Sequence, residues 1–445
     1  MRKIGRVMAI LCGGMACVLT PARAMDLSLD TAVEKILAES QDLKKADANV
    51  KKAQASLDVA NSNRWFQITG SATYMNMINV KQPFKSYGVD LPPELGGILA
   101  GALNSETPIS RVEIPDNMFM AGVSVNQPIY TFGKIGNAVD GVRSAIKMAN
   151  ASREMTMRAV KYSAVDIYWT AKMTDEIVKI SRQDLDSARA ARKNLTAAGR
   201  ANRSNLVKIE SDIAAKEIAL SDAEFNRDTA YRMLKILAGI DVTEPLNLTD
   251  EFPTEFTDLN AGELKNTPQW DALREQVVMY EKQARSKRAG AYPTLAATAS
   301  YNYLAMDKDF DNMFNRTNSQ SAYWGLALQV PIFSGGAHRA NATIEAMNAE
   351  AAHQDLDKAK KMTTEEYNRA VDKYNHLRGN LKTLENARNL AAKAYGISSD
   401  RFAAGQTSAV ELAEVSAGLY QLDMALLNAK YNILMSAESV KKLGE

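Results

Sequence analysis

The spacing of hydrophobic and polar residues changes several times along the chain, and the same succession of changes occurs twice. Four segments alternate apolar and polar residues with period two, which is typical of half-buried β-strands. These predicted strands are about 65–80, 118–128, 293–304 and 322–331. Alanine-rich segments with helical periodicity surround them, and the predicted helices are 28–63, 134–197, 204–238, a helix from 267, 337–403 and 408–443. Both halves therefore follow the order helix, two strands, two longer helices.

Short motifs recur in the same order as these elements. The segment Asn126–Tyr130 reads NQPIY, and 329–333 reads QVPIF, 203 residues later. Ala197-Ala198-Gly199 recurs as Ala403-Ala404-Gly405, 206 residues later. Ordered recurrence of this kind predicts an internal duplication. The predicted organisation is a first repeat over 25–239, an inter-repeat segment over 240–266 with a short element of its own, and a second repeat over 267–445.

The helices that follow each pair of strands are unusually long. At about 1.5 Å per residue, helices over 134–197 and 337–403 extend to roughly 100 Å. Apolar residues in the first of them recur at the spacing of a coiled-coil seam: Val160, Ala164, Ile167, Ala171 and Val178. An Ala-Ala-Gly motif follows each helix, as expected where a turn needs a left-handed residue. The tips of two helical hairpins are therefore predicted near residues 199 and 405.

The first 24 residues have the pattern of a secretory signal peptide. Basic residues precede the apolar stretch Val7–Leu19, and Ala22-Arg23-Ala24 fits a cleavage site. Thirteen apolar residues are too few for a membrane helix, which argues against the alternative of a retained anchor. Cys12 and Cys17 are the only cysteines and lie in this segment, so the mature chain is expected to lack disulfides and thiolate sites. The residues before Cys17 match a lipidation site poorly.

Composition excludes several classes of function. Removal of the leader takes away four basic residues, so the formal net charge changes from +2 to about −2 (2 − 4). A nearly neutral chain gives no support for nucleic-acid binding. No catalytic constellation stands out, and no cofactor is implied. His338, His353 and His376 lie on one predicted helix without the spacing of metal ligands. We therefore predict neither an enzyme nor a metalloprotein.

Long two-faced strands behind a signal peptide suggest a membrane β-barrel, but four strands cannot close one, since about eight is the smallest number known. Open edges in lipid leave unpaired N–H and C=O groups, each costing several kcal/mol. The strands must then be shared between chains by a cyclic operator. Three chains give twelve strands, which is wide enough for a lumen. The predicted fold is mainly α, with long helical hairpins that form an α-barrel below a shared β-barrel.

Aromatic residues flank the predicted strands at the ends nearest the helices. Such residues form girdles at membrane interfaces, although aromatic core packing at the strand–helix joints is an alternative for these positions. They are Trp65, Phe66, Tyr130, Phe132, Tyr292 and Phe333. Gly133 and Gly335 follow the second strand of each half and allow the chain to bend into the next helix.

At these residues the chain resembles the TolC-like outer-membrane efflux proteins over essentially its whole mature length. The resemblance is carried by the opening Ser28–Ala32, by Pro128-Ile129-Tyr130 and 331–336 (PIFSGG), and by the two Ala-Ala-Gly tips. It implies a homotrimer with a twelve-stranded barrel in the outer membrane and a helical tunnel in the periplasm. It also implies a periplasmic membrane-fusion adaptor, an inner-membrane transporter, and a passive exit duct for efflux or type I secretion.

The resemblance also implies roles for residues near the tips. Adaptor docking is expected at Ala198, Gly199, Ala404 and Gly405. Glu411 and Glu414 match two acidic residues that ring the pore constriction, and Phe402 matches an aromatic residue of the gate. Thr407 stands where tightly latched members have arginine, and Ser204 and Asn205 stand where a hydroxyl and an acid are usual. We therefore expect a weaker latch. Phe66 also departs from the usual proline.

Two alternatives remain open at this point. Glu411 and Glu414 lie three residues apart near a predicted helix start, where solvated acids are favoured by the helix dipole. A periplasmic coiled-coil adaptor or a scaffold without a pore would also contain long helical hairpins. The two hairpins and four long strands of this chain favour the channel.

Overall fold

The computed structural model describes residues 25–76, 89–90, 111–112, 117–197, 203–260, 262–307, 310–312, 314–315 and 318–444. The predicted leader at 1–24 and the tip residues Ala198 and Gly199 lie outside these ranges. The strands are β1 Met25–Leu27, β2 Gln67–Asn76, β3 Val89–Asp90, β4 Arg111–Val112, β5 Asn117–Tyr130, β6 Leu246–Leu248, β7 Thr294–Asp307 and β8 Asn318–Gln329. The helices are α1 Leu29–Glu39, α2 Gln41–Ser62, α3 Lys134–Ala197, α4 Arg203–Leu237, α5 Pro268–Ala289, α6 Ala337–Ala403 and α7 Ala409–Gly444, with a 3₁₀ turn at Phe310–Asn312.

The long helices expected from the sequence are present, and the first predicted helix is divided. Ser28 caps α1, and its side chain accepts a hydrogen bond from the Thr31 amide. Ser40 leaves the helical conformation (φ −54°, ψ 118°), so the predicted helix 28–63 becomes α1 and α2. The Ser40 side chain then accepts a bond from the Leu43 amide, which caps the second helix. Serine competes for backbone bonds in this way, and periodicity alone does not detect it.

The chain divides into two compact units. The first unit holds the described residues up to 47, with 153–268 and 360 onward, and the second holds 48–152 and 269–359. Each unit contains segments from both predicted repeats, so these units are not the repeats themselves.

The second unit contains an antiparallel four-stranded sheet with the order β2-β5-β7-β8. β7 and β8 extend further into the hairpin loop than the predicted strands 293–304 and 322–331, while the described part of β2 covers Gln67–Asn76 of the predicted 65–80. The expectation that Pro128 ends its strand was wrong. β5 continues to Tyr130 through a bulge between Pro128 and Tyr130, which accommodates a residue that lacks an amide donor. The short pair β3–β4 lies between the predicted strands 65–80 and 118–128, where no strand was predicted.

The two faces of this sheet differ in chemistry. Directly opposed residues share a face. Ile68 opposes Val125, Ala299 opposes Trp324, and Ala297 opposes Leu326, which makes one face apolar. The other face carries the alternate residues, and its members include Gln67, Thr69, Ser71, Ser124, Asn126, Thr298, Ser300 and Asn302. Gly122 lies on the polar face, where an added Cβ would come 2.7 Å from Asn302 Oδ1.

Sharp turns join the sheet to the long helices. Gly133 has φ +82°, and Gly335 and Gly336 have φ +58° and +81°, which confirms the predicted bends. Phe132 also has a positive φ of +49°, a conformation that a non-glycine residue adopts at a cost of about 1–2 kcal/mol. Its ring lies between Tyr130 and Tyr292, with centroid distances of 4.7 and 5.7 Å, and these contacts help to offset that cost.

The first unit is built from long antiparallel helices. In the predicted seam of α3, Ala164, Ala171 and Val178 are buried and Val160 and Ile167 are half-buried, and burial continues at Leu185 and Leu195. Three arginines of α3 pair with three glutamates of α4 at descending positions: Arg182–Glu224 at 2.7 Å, Arg189–Glu217 at 2.8 Å and Arg192–Glu210 at 3.1 Å. These pairs are exposed, so each contributes at most about 1 kcal/mol, and they mainly define register.

A small parallel sheet of β1 and β6 packs against α3, and the sequence analysis missed its pairing because each strand has three residues. The buried Tyr168 hydroxyl contacts the Leu27 carbonyl at 3.1 Å and Asp250 Oδ2 at 2.6 Å. Burial, followed by the bond to Asp250, raises the pKa of Tyr168. Asp250 also accepts a bond of 2.8 Å from the Leu29 amide, so one carboxylate joins α1, the inter-repeat segment and α3.

Candidate functional site at the helix tip

The ends of α3 and α6 and the starts of α4 and α7 meet in an apolar cluster at the tip of the first unit. Its buried members are Leu195, Ile209, Phe402, Ala409 and Leu412. Phe402 is only 5% exposed. The aromatic residue predicted for the gate is therefore part of the core of the tip within one chain.

The turn after α6 has the geometry predicted for its glycine. Gly405 has φ +76°. The Gly405 amide donates to the Phe402 carbonyl at 2.9 Å, and the Gln406 amide donates to the Arg401 carbonyl at 2.8 Å. These two bonds form a Schellman motif, which satisfies carbonyls at the helix end. Ala404 and Gly405 are exposed on this turn.

The two glutamates of the predicted constriction lie in the first two turns of α7. Ser408 caps this helix, since its Oγ accepts a bond of 3.2 Å from the Glu411 amide. The Thr407 hydroxyl donates a hydrogen bond to the Glu411 carboxylate. Glu411 and Glu414 are both exposed, and residues at i and i+3 lie on one helix face. The structure thus places Thr407 next to the acidic pair.

The remaining latch residues lie at the start of α4. Ser204 and Asn205 occupy its first turn, where Ser204 is exposed and Asn205 is half-buried. Neither side chain belongs to the apolar cluster, although the adjacent Leu206 packs against it.

A buried polar cluster lies beyond the tip core, and the sequence analysis did not predict it. Lys216 Nζ of α4 is 2.5 Å from Asp184 Oδ2 of α3 and 3.9 Å from Asp212 Oδ2. Ser416 of α7 donates a bond of 2.8 Å to Asp184 Oδ1. Lys216 replaces an apolar residue in the heptad series Ile209, Lys216, Ala223, and this spacing is the signal that could have revealed it.

Two carboxylates in this cluster share one ammonium group. Burial raises the pKa of Asp212, the nearby Lys216 opposes that shift, and Asp184 adds to it. A cavity of about 20 Å³ adjoins Asp212, Ser416 and Tyr395. This volume is sufficient for one water molecule among polar partners. The cluster links three helices close to the tip and carries a net negative charge when both acids are ionised.

The six predicted interface aromatics all lie near the strand–helix joints of the second unit. All six are exposed in the chain, and Phe333 is the most exposed of them at 90%. Tyr130, Phe132 and Tyr292 also pack on one another, so aromatic contacts and exposure occur together at these joints. Within the described ranges, no three His, Cys, Asp or Glu side chains converge as metal ligands. Among the described helices, none combines the length and apolar character needed to cross a bilayer.

Comparison with known proteins identifies the family. Residues 32–239 and 262–443 match the family described as outer membrane efflux protein. The chain belongs to the outer membrane efflux protein family. Proteins of this family are outer-membrane channels rather than enzymes, and they work with an adaptor and an inner-membrane transporter in tripartite systems. Membership in the outer membrane efflux protein family decides against the adaptor and the scaffold as alternatives.

Individual relatives are distant. Alkaline protease secretion protein AprF of Pseudomonas aeruginosa is 22% identical over 335 residues, which cover 71% of this chain and 67% of AprF. Proteases secretion protein PrtF of Dickeya chrysanthemi is 22% identical over 268 residues, 56% of each chain. The Campylobacter jejuni outer membrane channel CmeC has a similar fold, with a TM-score of 0.74 at 18% identity over 93% of this chain and 85% of CmeC.

Proposed function

We propose that this chain forms the outer-membrane exit duct of a tripartite efflux or type I secretion system. In this role it passively conducts cargo delivered by a periplasmic adaptor and an inner-membrane transporter. The observation that carries the proposal is the exposed apolar face of the four-stranded sheet. On β8 alone, Trp324 is 87% exposed and Leu326 is 69% exposed. The names of AprF and PrtF favour the secretion branch.

The apolar face is suited to lipid. Burial of a leucine-sized side chain stabilises by about 1.5–3 kcal/mol, so a row of such residues in water is unfavourable without a covering phase. Exposed members of this face come from all four strands: Ile68, Val123, Tyr301, Trp324, Leu326 and Leu328. The polar face is then left for a water-filled lumen, as in membrane barrels. The exposed aromatics at the strand–helix joints are suited to the lipid headgroup level.

The sheet edges support a shared barrel. β2 and β8 are the two edge strands, and each exposes a row of backbone groups that lipid cannot satisfy. Pairing of β2 in one chain with β8 in the next satisfies both edges under a cyclic operator. Three chains then give twelve strands, and we propose this homotrimer.

Helical surfaces of the first unit supply a second interface for the trimer. The outer face of α4 carries a stripe of exposed apolar residues: Val207, Ile218, Phe225, Met233 and Ile236. Leu390 and Ile397 form a shorter exposed stripe on α6. Their spacing matches coiled-coil packing. Contact between the α4 stripe of one copy and the α6 stripe of the next covers both surfaces.

Roles at the tip follow from this trimer. Three copies bring Glu411 and Glu414 together as six carboxylates around the axis, a ring that attracts cations. Thr407, Ser204 and Asn205 lie at the same end and form a latch without arginine. Ala404 and Gly405, with Ala198 and Gly199 of the first tip, are the surfaces for the adaptor. Residues 1–24 act as the signal peptide, and 25–239 and 267–445 are the two repeats.

Neighbouring residues on β8 test the proposal. Leu326→Arg places a charge on the apolar face, whereas Ala327→Arg places it on the polar face. Arginine on the lipid face of a membrane strand costs about 2–4 kcal/mol near the midplane. We expect Leu326→Arg to deplete trimers from the outer-membrane fraction and Ala327→Arg to leave them and change conductance in planar bilayers. The proposal is contradicted if the two variants give the same amount of trimer and the same conductance. It is also contradicted if the wild-type chain is monomeric in mild detergent and forms no pores.

A further inference from the structure

Methionines are concentrated at one end of the four-stranded sheet. Met75 of β2 lies directly opposite Met118 of β5, and Met118 lies directly opposite Met306 of β7. Met120 is two residues further along β5 and opposes Thr73 and Leu304. Three consecutive strands therefore bring four thioether side chains, from Met75, Met118, Met120 and Met306, onto one side of the sheet; we call them the methionine cluster.

The face on which the methionine cluster lies makes it unusual. Alternation along β2 places Met75 on the same face as Thr73 and Ser71, and alternation along β7 places Met306 with Asn302 and Ser300. This is the polar face of the sheet. Lipid contact explains the residues of the opposite face, but it does not explain a group of methionines on a face that carries, apart from Leu304, mainly hydroxyl and amide side chains in β2, β5 and β7.

The spacing of the methionine cluster allows joint coordination. Adjacent strands lie about 4.7–4.9 Å apart, so the three opposed methionines span about 10 Å between their backbones. A methionine side chain has three rotatable bonds and a polarisable sulfur, which lets neighbouring sulfurs converge on one point. Met75 and Met120 are each 40% exposed, so an ion in solution can reach them.

The donor type determines which ion fits. Thioether sulfur is a soft ligand that selects Cu(I) and closely related soft cations over Zn²⁺, Mg²⁺ or Ca²⁺. Mg²⁺ and Ca²⁺ sites are built mainly from carboxylate and carbonyl oxygens, and Zn²⁺ sites from imidazole, thiolate or carboxylate groups. The side chains opposed to Met120 are Thr73 and Leu304, which supply no carboxylate, imidazole or thiolate. We infer that the methionine cluster is a binding site for a soft monovalent cation, Cu(I) or Ag(I). The site lies within one chain, so the inference does not depend on the proposed pore.

Silver provides the direct test, because Ag(I) has the same ligand preference as Cu(I) and does not change oxidation state in the assay. Detergent-solubilised protein, purified from the outer membrane and free of titratable thiols, is titrated with Ag(I) by calorimetry in a halide-free buffer. We expect saturable binding of one ion per chain. The variant with Met75, Met118, Met120 and Met306 all changed to Leu retains volume and apolar character, and we expect its affinity to fall at least about tenfold because no soft donor remains.

A matched control removes the same number of methionines elsewhere. Met155, Met347 and Met362 are exposed on the helices and Met424 is half-buried on α7, and changing all four to Leu should leave Ag(I) affinity unaltered. Equal affinity of wild type and the sheet variant, or equal loss in both variants, overturns the inference. A second measurement needs only the wild type: Ag X-ray absorption should show a coordination shell made mainly of sulfur. A shell of nitrogen and oxygen alone also overturns it, whether or not the variants fold.

Discussion

The hydroxyl of Thr407 donates a hydrogen bond to the carboxylate of Glu411, one helical turn further along the chain. This bond holds the acidic side chain against the start of α7, where the helix dipole also favours a negative charge. Tightly latched relatives are expected to have arginine at the position of Thr407. In this chain Thr407 instead orients Glu411, one of the two acids of the proposed constriction.

The first prediction concerns ion selectivity. Changing Glu411 and Glu414 together to Gln keeps side-chain size and removes six charges from the proposed trimer. We expect the cation preference to fall in single-channel recordings under a salt gradient, because the ring no longer attracts cations. Glu365→Gln on the exposed face of α6 is the control and should leave the reversal potential unchanged. An unchanged reversal potential in the double variant would show that these glutamates do not line the constriction.

The second prediction concerns the latch. Thr407→Arg places a guanidinium one turn from Glu411, where it can pair with the acids of its own or a neighbouring chain. We expect a lower spontaneous conductance and less uptake of small antibiotics through the resting channel. Thr407→Gln has similar bulk without charge and should retain the wild-type conductance. If both variants reduce conductance equally, side-chain size rather than ion pairing is the cause.

The third prediction compares two glycines near the end of α6. Gly405 has φ +76°, so Ala at this position is strained by about 1–2 kcal/mol. Gly396 lies within the helix with open space around its Cα, and Ala there should stabilise by about 0.5–1 kcal/mol. The midpoint of thermal unfolding, measured by circular dichroism, should therefore be lower than wild type for Gly405→Ala and higher than wild type for Gly396→Ala. Shifts in the same direction would contradict the role of the left-handed turn.

The fourth prediction concerns Lys216. Lys216→Met leaves Asp184 and Asp212 without their shared cation in a largely buried site. Removal of one partner from a buried ion pair typically destabilises by about 3–5 kcal/mol. We expect a clearly lower unfolding midpoint at neutral pH, with partial recovery in acid as Asp212, whose pKa is raised by burial, is protonated. Lys193→Met, at an exposed position of α3, should have little effect at either pH.

Asp212 gives a pH dependence of opposite sign to that of an ordinary ion-paired acid. Because burial raises its pKa in the folded state, its contribution to stability is present at low pH and is lost as pH rises through the raised pKa. Asp212→Asn should therefore raise the unfolding midpoint at neutral pH. The gain should shrink as pH falls through the raised pKa and disappear at about pH 3, where the wild-type acid is mostly neutral in both states. A gain that is constant across pH would point to a packing effect instead.

The last prediction tests the helical interface. Phe225 is 71% exposed on the α4 stripe, and Phe225→Asp introduces a charge where the proposed partner chain packs. We expect weaker trimers in native electrophoresis and in sedimentation velocity. Asn226→Asp adds the same charge at an exposed position beside the stripe and should leave the trimer intact. If the trimers of the two variants dissociate to the same extent, the α4 stripe is not part of the trimer interface.

Periodicity was sufficient for much of the fold. Alternation along β2 and β5 predicted which of their residues share a face, and the spacing of Ala164, Ala171 and Val178 predicted the seam of α3. The glycine of the second Ala-Ala-Gly motif predicted a left-handed turn. These features depend on neighbours within a few residues of one another, because backbone geometry alone determines which side chains lie on one side of a strand or helix.

Contacts between distant segments required the tertiary structure. Phe402 was expected at a gate, and the folded chain buries it among residues of four helices. The sequence shows that Lys216 occupies a heptad position of α4. It does not show that Lys216 pairs with Asp184 of another helix or that it lies next to Ser416, which is 200 residues away. Met75, Met118 and Met306 become neighbours only through the register of three strands. The sequence by itself determines the periodicity, the faces of strands and helices, and the turns. Which charged groups and which thioether sulfurs come together is decided only by the tertiary structure, because contacts between distant segments depend on the free energy of the whole packed chain.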